Sequence, residues 1–188
     1  MAKKLISAVY FVFSALLIFY VALPNYDFPK PPADSVRSDE PADMESPLRR
    51  AYFTDYTRAE VLEWYMSQFR QSVFGNIPLP TYLLNYPPEE SQTIIRDQTR
   101  STFLQEIVHP FRETVFINGY EPAPHDDQNR IVINGRHWRQ KIIVRFIPTN
   151  LLLRLAVTLL TVTAIPVLIS AFRPEFTFLK KLVKRRKI

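Results

Sequence analysis

Apolar residues follow three patterns along this chain, and each predicts a different element. Leu5 to Leu23 is an unbroken apolar run without a charge, and Leu151 to Phe172 is a second, interrupted only by Arg154. Both match the ~20 residues that a helix needs to cross a hydrocarbon core. Between them, Val61, Leu62, Tyr65, Met66 and Phe69 recur at helical spacing. They follow Thr57-Arg-Ala-Glu60, which has the capping-box spacing that closes a helix start. The third pattern is alternation. Arg130-Ile-Val-Ile, Asn134-Gly135 and Arg136 to Ile147 read as two strands around a tight turn, because both central residues of such a turn need positive φ. If Asn134 and Gly135 form the turn, Ile131 faces Trp138 and Ile133 faces Arg136. Trp138, Ile142, Val144 and Phe146 then lie on a core face, and His137, Arg139, Lys141 and Arg145 lie on a basic one.

Two further stretches are read from their breakers. Prolines at 78, 80 and 87 make the segment from Ile77 an extended loop laid over the core. Pro88 with Glu89 and Glu90 then favours a helix start, which predicts a second helix running to about Val108, before His109-Pro110. Thr114 to Ile117 is β-branched and aromatic and is read as a strand. The fold class expected is therefore two transmembrane helices flanking a small extracytoplasmic α+β domain, with two helices packed on an antiparallel sheet containing the Asn-Gly hairpin.

The boundaries follow from composition. Residues 1–4 form a short basic end, 5–23 the first span and 24–50 a Pro-rich spacer with Tyr26 and Phe28 as interfacial aromatics. Residues 51–148 form the folded domain, 150–172 the second span and 173–188 a basic amphipathic tail. The first span is read as an uncleaved signal anchor, since no small-x-small site closes it.

Charge changes the picture once it is divided by region. The overall +6 resembles a nucleic-acid signal, but Lys3, Lys4, Arg173, Lys180, Lys181, Lys184, Arg185, Arg186 and Lys187 stand against Glu175 alone. The stretch 24–149 carries 14 Lys and Arg against 17 Asp and Glu. Basic flanks are retained on the cytoplasmic side, so both ends are expected in the cytoplasm of a plasma or inner membrane and the middle outside. No nucleic-acid partner is expected. The tail basics suit an anionic inner leaflet, and Arg154, a few residues inside its span, is expected to reach the headgroups or another membrane helix. The chain has no cysteine, hence no disulfide framework, and no Asn-x-Ser/Thr acceptor.

Candidate chemistry is sparse. Three glycines, at 75, 119 and 135, leave no phosphate-cradling loop, and no nucleophile elbow occurs. Glu106-x-x-His109 has a metal-pair spacing for a helix, but the partner motif of a di-iron bundle is missing, so His109 is read as capping the helix end. His125-Asp126-Asp127 is read as a solvated turn. No cofactor and no catalytic residue are assigned. The segment Ser91 to Thr102 is rich in hydrogen-bonding groups, and Arg96, Asp97 and Arg100 are interaction candidates, because one carboxylate cannot serve two guanidinium groups. The function expected is a non-catalytic membrane-anchored envelope component that binds another membrane or envelope protein. The alternatives are a membrane-bound enzyme acting on lipid or cell-wall material, with Arg96, Arg100 and His109 as its polar groups, and an accessory subunit of a transporter or secretion apparatus.

Overall fold

The computed structural model describes residues 2–71, 78–90, 101–123, 125 and 127–185. The described residues divide into a helical unit, Met1–Leu23 with Asn150–Ile188, and a domain, Pro24–Thr149. The helical unit consists of α1 (Ala2–Ala22) and α3 (Leu151–Arg185), which pack against each other. Both contain stretches, Lys4–Ala22 and Leu151–Arg173, long and apolar enough to cross a membrane. Nineteen residues of helix span about 28 Å, close to the ~30 Å of a hydrocarbon core.

Polar groups join this helix pair. Pro166 has no amide hydrogen to give to the Val162 carbonyl one turn back. The Tyr10 hydroxyl donates to that same carbonyl, which explains how α3 passes through Pro166 with its backbone group satisfied. Arg154 donates to the Leu23 carbonyl just beyond the end of α1, where unpaired helix carbonyls favour a cation. α3 then continues past Arg173 into the basic segment, so the boundary expected there does not interrupt the helix.

The domain is α+β. Its sheet contains β1 (Val36–Arg37), β2 (Arg49–Thr54), β3 (Tyr82–Tyr86), β4 (Phe103–Val108), β5 (Thr114–Tyr120) and β8 (Gln140–Ile147), in the order β1-β2-β8-β5-β4-β3 and antiparallel throughout. Helix α2 (Arg58–Arg70) packs on it. Its start is the expected capping box: the Thr57 side chain accepts from the Glu60 amide, and Glu60 accepts from the Thr57 amide at 2.7 Å. The Thr57 amide and the Thr57 hydroxyl, both donating to the Glu60 carboxylate, hold this exposed group below its ordinary range. Val61, Tyr65, Met66 and Phe69 bury one face of α2 against Ile107, Val115, Ile117, Ile142, Val144 and Phe146. Each fully buried side chain of this size is worth about 1.5–3 kcal/mol relative to leaving it in water.

The structure differs from the expectations at several places. The helix predicted to run to Val108 ends in a strand, since Phe103–Val108 pairs with β3 and β5. Phe103 and Leu104, adjacent and both buried, serve opposite faces of the sheet, a demand that a strand meets and a surface helix does not. The predicted helix start is a 3₁₀ turn, Pro88–Glu90, and the middle of that helix lies outside the described residues. The proline-flanked loop contains β3, which pairs with β4 at the end of the strand order, the position that tolerates neighbouring prolines.

The expected spacer 24–50 is packed. Tyr26 stacks on Phe69 at 5.6 Å, Phe28 meets Phe146 edge-on, and Trp64 donates its indole N–H to the Lys30 carbonyl at 2.9 Å. Proline limits the entropy lost in laying such a chain down, and the two aromatics supply the apolar area that secures it. The hairpin, finally, has the expected register and turn, with Asn134 at φ 53 and Gly135 at φ 76. Yet β6 (Ile131–Ile133) and β7 (Arg136–Trp138) form a sheet of their own. At Arg139 the backbone amide leaves the ladder to donate to Asp55 Oδ1 at 3.1 Å.

The face expected to be basic is also mixed. Ile143 is buried there with Ala51, Leu104 and Phe116, and Lys141 pairs with Glu40 and with the buried Asp43 at 2.8 and 2.7 Å. On the same face Glu106 accepts from the Tyr86 and Thr114 hydroxyls at 2.5 and 2.7 Å, and the bond to Glu106 is the main reason that the Tyr86 phenol is pushed up to about 12.

Candidate functional site

The hairpin end of the domain carries an open cleft of about 730 Å³, lined by Asp55, Glu121, Pro122, Ala123, Arg130, Val132, His137 and Arg139. It forms because three chain segments diverge there. β2 stops at Thr54 as the chain turns into α2, β5 stops at Tyr120, and the hairpin departs from the sheet between Trp138 and Gln140. Thr54 fixes the first of these, donating its hydroxyl to Asp34 Oδ1 at 2.7 Å. Asp34 in turn accepts from the Asp55 amide at 2.7 Å. The Arg136 guanidinium stacks on the Trp138 ring at 3.9 Å, and Trp138 is itself buried.

Two ion pairs cross the cleft wall. Arg136 donates to Asp55 Oδ2 at 2.7 Å, and Arg139 donates from Nε to Glu121 Oε1 at 2.7 Å. Burial would raise the Asp55 carboxyl, but hydrogen bonds from Arg136 and from the Arg139 amide outweigh it and hold the group below its ordinary range. All four side chains remain 30–57% exposed. His137 is exposed on the same hairpin. The described lining beside His137 is made of the carboxylates Asp55 and Glu121, the cations Arg130 and Arg139, and the apolar Pro122, Ala123 and Val132.

A second polar cluster lies at the opposite end of the sheet and is fully buried. His109 Nδ1 is 2.8 Å from Glu113 Oε1, and Nε2 is 2.9 Å from the Phe69 carbonyl in the last turn of α2. Arg112 donates to Glu113 at 2.9 Å and to the Pro24 carbonyl at 2.7 Å. Burial pushes the Glu113 carboxyl up, but the bonds from His109 and Arg112 bring it below its ordinary value, so it is an acceptor only. The His109 ring thus bridges the Glu113 carboxylate and the Phe69 carbonyl at the C-terminal end of α2. His109 does cap a helix, but the helix is α2 rather than the one expected to precede it. Glu106 and His109 lie on a strand and its following turn, so they do not offer the one-turn metal pair that their spacing suggests on a helix.

The residues marked from sequence are distributed otherwise. Arg96, Asp97 and Arg100 lie outside the described residues, as do Asp126, Arg186 and Lys187, while Lys180, Lys181, Lys184 and Arg185 fall in the last turns of α3. His137 and Arg139, expected on a basic sheet face, belong to the cleft instead. Asp55, Glu121 and Arg130 were not marked. Asp55 follows a β-branched strand and precedes a capping box, a place where a carboxylate can reach a neighbouring chain, but its partners are 81 and 84 residues away. Compared with protein-family models, curated proteins and solved structures, the chain matches none.

Proposed function

We propose that this protein is a non-catalytic, membrane-anchored component of a cell envelope. Its two apolar helices cross the cytoplasmic membrane, its domain stands on the extracytoplasmic side, and it binds another membrane or envelope protein through the hairpin-end cleft. The observation that carries this reading is the cleft itself, a concave surface edged by two half-exposed ion pairs. Exposed pairs of this kind contribute about 0–1 kcal/mol to the fold, so each can exchange its partner for a charge on another protein at small cost. Such complementarity sets orientation and partner choice more than raw affinity. The membrane placement is supported by the lengths of the two helices and by the concentration of Lys and Arg outside them.

The test is site-directed crosslinking in native membranes. Val132 lines the cleft at 55% exposure and the chain has no cysteine of its own, so Val132→Cys carries a single photoreactive label. A discrete adduct is expected, lost when Arg136 and Arg139 are both changed to Gln in a chain that remains folded. No adduct, or one that survives the double change, overturns the reading.

A further inference from the structure

We propose that the turn His109–Glu113 seats Phe111 in the lipid interface, so that the domain rests on the bilayer through an aromatic rim formed by Phe111 and Tyr82. This rests on the reading that the two apolar helices span a membrane. Phe111 is 75% exposed, the highest value for a large apolar side chain among the domain's described residues, and Tyr82 is 58% exposed. Phe111 also has φ 63, the left-handed region usually occupied by glycine or asparagine. The turn holds it there: the His109 amide donates to the Glu113 carbonyl at 3.1 Å, and the Arg112 amide to the His109 carbonyl at 3.0 Å. The side chains of His109, Arg112 and Glu113 all point into the buried cluster, which leaves the phenyl ring alone to face outward. A strained backbone presenting one apolar ring on a fixed base is a reason to look for a role.

Its place in the domain identifies the partner. The final row of the sheet is Tyr82, Val108, Thr114 and Ile147, directly paired in that order. Arg112 ties the same turn to Pro24, and the Asn25 side chain donates to the Thr149 carbonyl at 2.8 Å. Pro24 and Thr149 are the first and last residues of the domain, so the chain enters and leaves it beside this rim and continues directly into the two apolar helices. The turn presents no free carboxylate to solvent, since its one acidic group, Glu113, is buried against His109 and Arg112. An exposed phenyl ring on the turn and an exposed phenol in the sheet row that the turn adjoins are the pair of aromatics that suits the headgroup level of a bilayer.

The experiment uses the full chain reconstituted in vesicles of phosphatidylethanolamine and phosphatidylglycerol, with a polarity-sensitive fluorophore on single cysteines at Phe111, Val132 and Leu160. The fluorophore at 111 should lose most of its intensity to a nitroxide near the top of the lipid acyl chain and resist aqueous iodide. At 132 the opposite is expected, and at 160 quenching by a nitroxide deep in the acyl chain. Phe111→Trp, which keeps an aromatic ring, should add emission quenched by brominated lipid above the background of Trp64 and Trp138. Iodide access at 111 with deep quenching intact at 160 overturns this inference alone. Shielding from iodide without lipid quenching also overturns it, in favour of a protein contact. Loss of deep quenching at 160 overturns the membrane-spanning reading as well.

Discussion

The two ends of the domain use the same chemistry, an arginine on a carboxylate, with opposite energetic meaning. At the hairpin end, Arg136–Asp55 and Arg139–Glu121 stay in contact with water, and breaking them leaves each partner solvated. At the chain-exit end, Arg112, Glu113 and His109 have side chains with no exposed surface, and the removal of one strands the others in a low-dielectric interior. A buried cluster of this kind also fixes geometry, because it ties α2, the β4–β5 turn and Pro24 together through His109, Glu113 and Arg112. One end therefore holds the fold and the other is free to trade its pairs.

The sharpest test of this contrast is Glu113→Gln, which leaves the buried Arg112 without its counter-charge and His109 without its carboxylate partner. It should destabilise the domain by about 3–5 kcal/mol, read as a shift of the denaturant midpoint of the full chain in detergent. A change below the size expected for an exposed pair would erase the distinction between the ends. The cluster also gives a pH dependence. Because the folded-state pKa of Glu113 is lowered, its contribution is complete above the ordinary value of 4.5 and is lost as the pH falls through the lower folded value. Stability of the parent should therefore fall with pH below 4.5, and more steeply than that of Glu113→Gln.

Next in size is a packing effect midway between the ends. Gly119 faces Phe103 across the β4–β5 ladder, and a Cβ there would lie 2.1 Å from the Phe103 ring, which is buried and pinned under Arg58. Gly119→Ala should cost about 1–3 kcal/mol and should leave crosslinking from Val132 intact once the chain is folded. Smaller still is Gly135→Val. The site has open space around it but φ 76, so only backbone strain of about 1–2 kcal/mol is at stake. Since the hairpin is a sheet of its own, that loss should spare the six-stranded sheet while disturbing the cleft. Circular dichroism near 215 nm would be unchanged within error, and crosslinking from Val132 reduced. The smallest stability change is expected for Arg136→Gln, within about 1 kcal/mol, paired with loss of the adduct.

How much of this was legible in the sequence depended on whether a signal was local. The two apolar runs, the Thr57/Glu60 capping box and the Asn134-Gly135 turn are each defined by residues within one element, and the structure has all of them. Phe103 to Val108 was misread because a short apolar segment bounded by a histidine-proline pair fits a buried helix turn as well as a strand buried on both faces. What settles it is pairing with β3 and β5, which no local pattern records. The 24–50 segment misled for a similar reason: proline and charge suggest a spacer, but Tyr26 and Phe28 find their cover on Phe69, His109 and Phe146, far along the chain. The cleft was invisible because its parts come from β2, the loop after β5 and the hairpin. His137 and Arg139 were noticed, but alternation alone placed them on a continuous strand that in fact breaks at Arg139.

The proposed envelope contact requires the hairpin end to stand on the extracytoplasmic side, which is the central claim. Cysteine at Val132, in an exposed position of the cleft, and cysteine at Lys187, beyond the second apolar helix, compare the two compartments directly. Treated in intact cells with a membrane-impermeant thiol reagent, Val132→Cys should label at once and Lys187→Cys only after lysis. Labelling at 187 with protection at 132 in intact cells would contradict it.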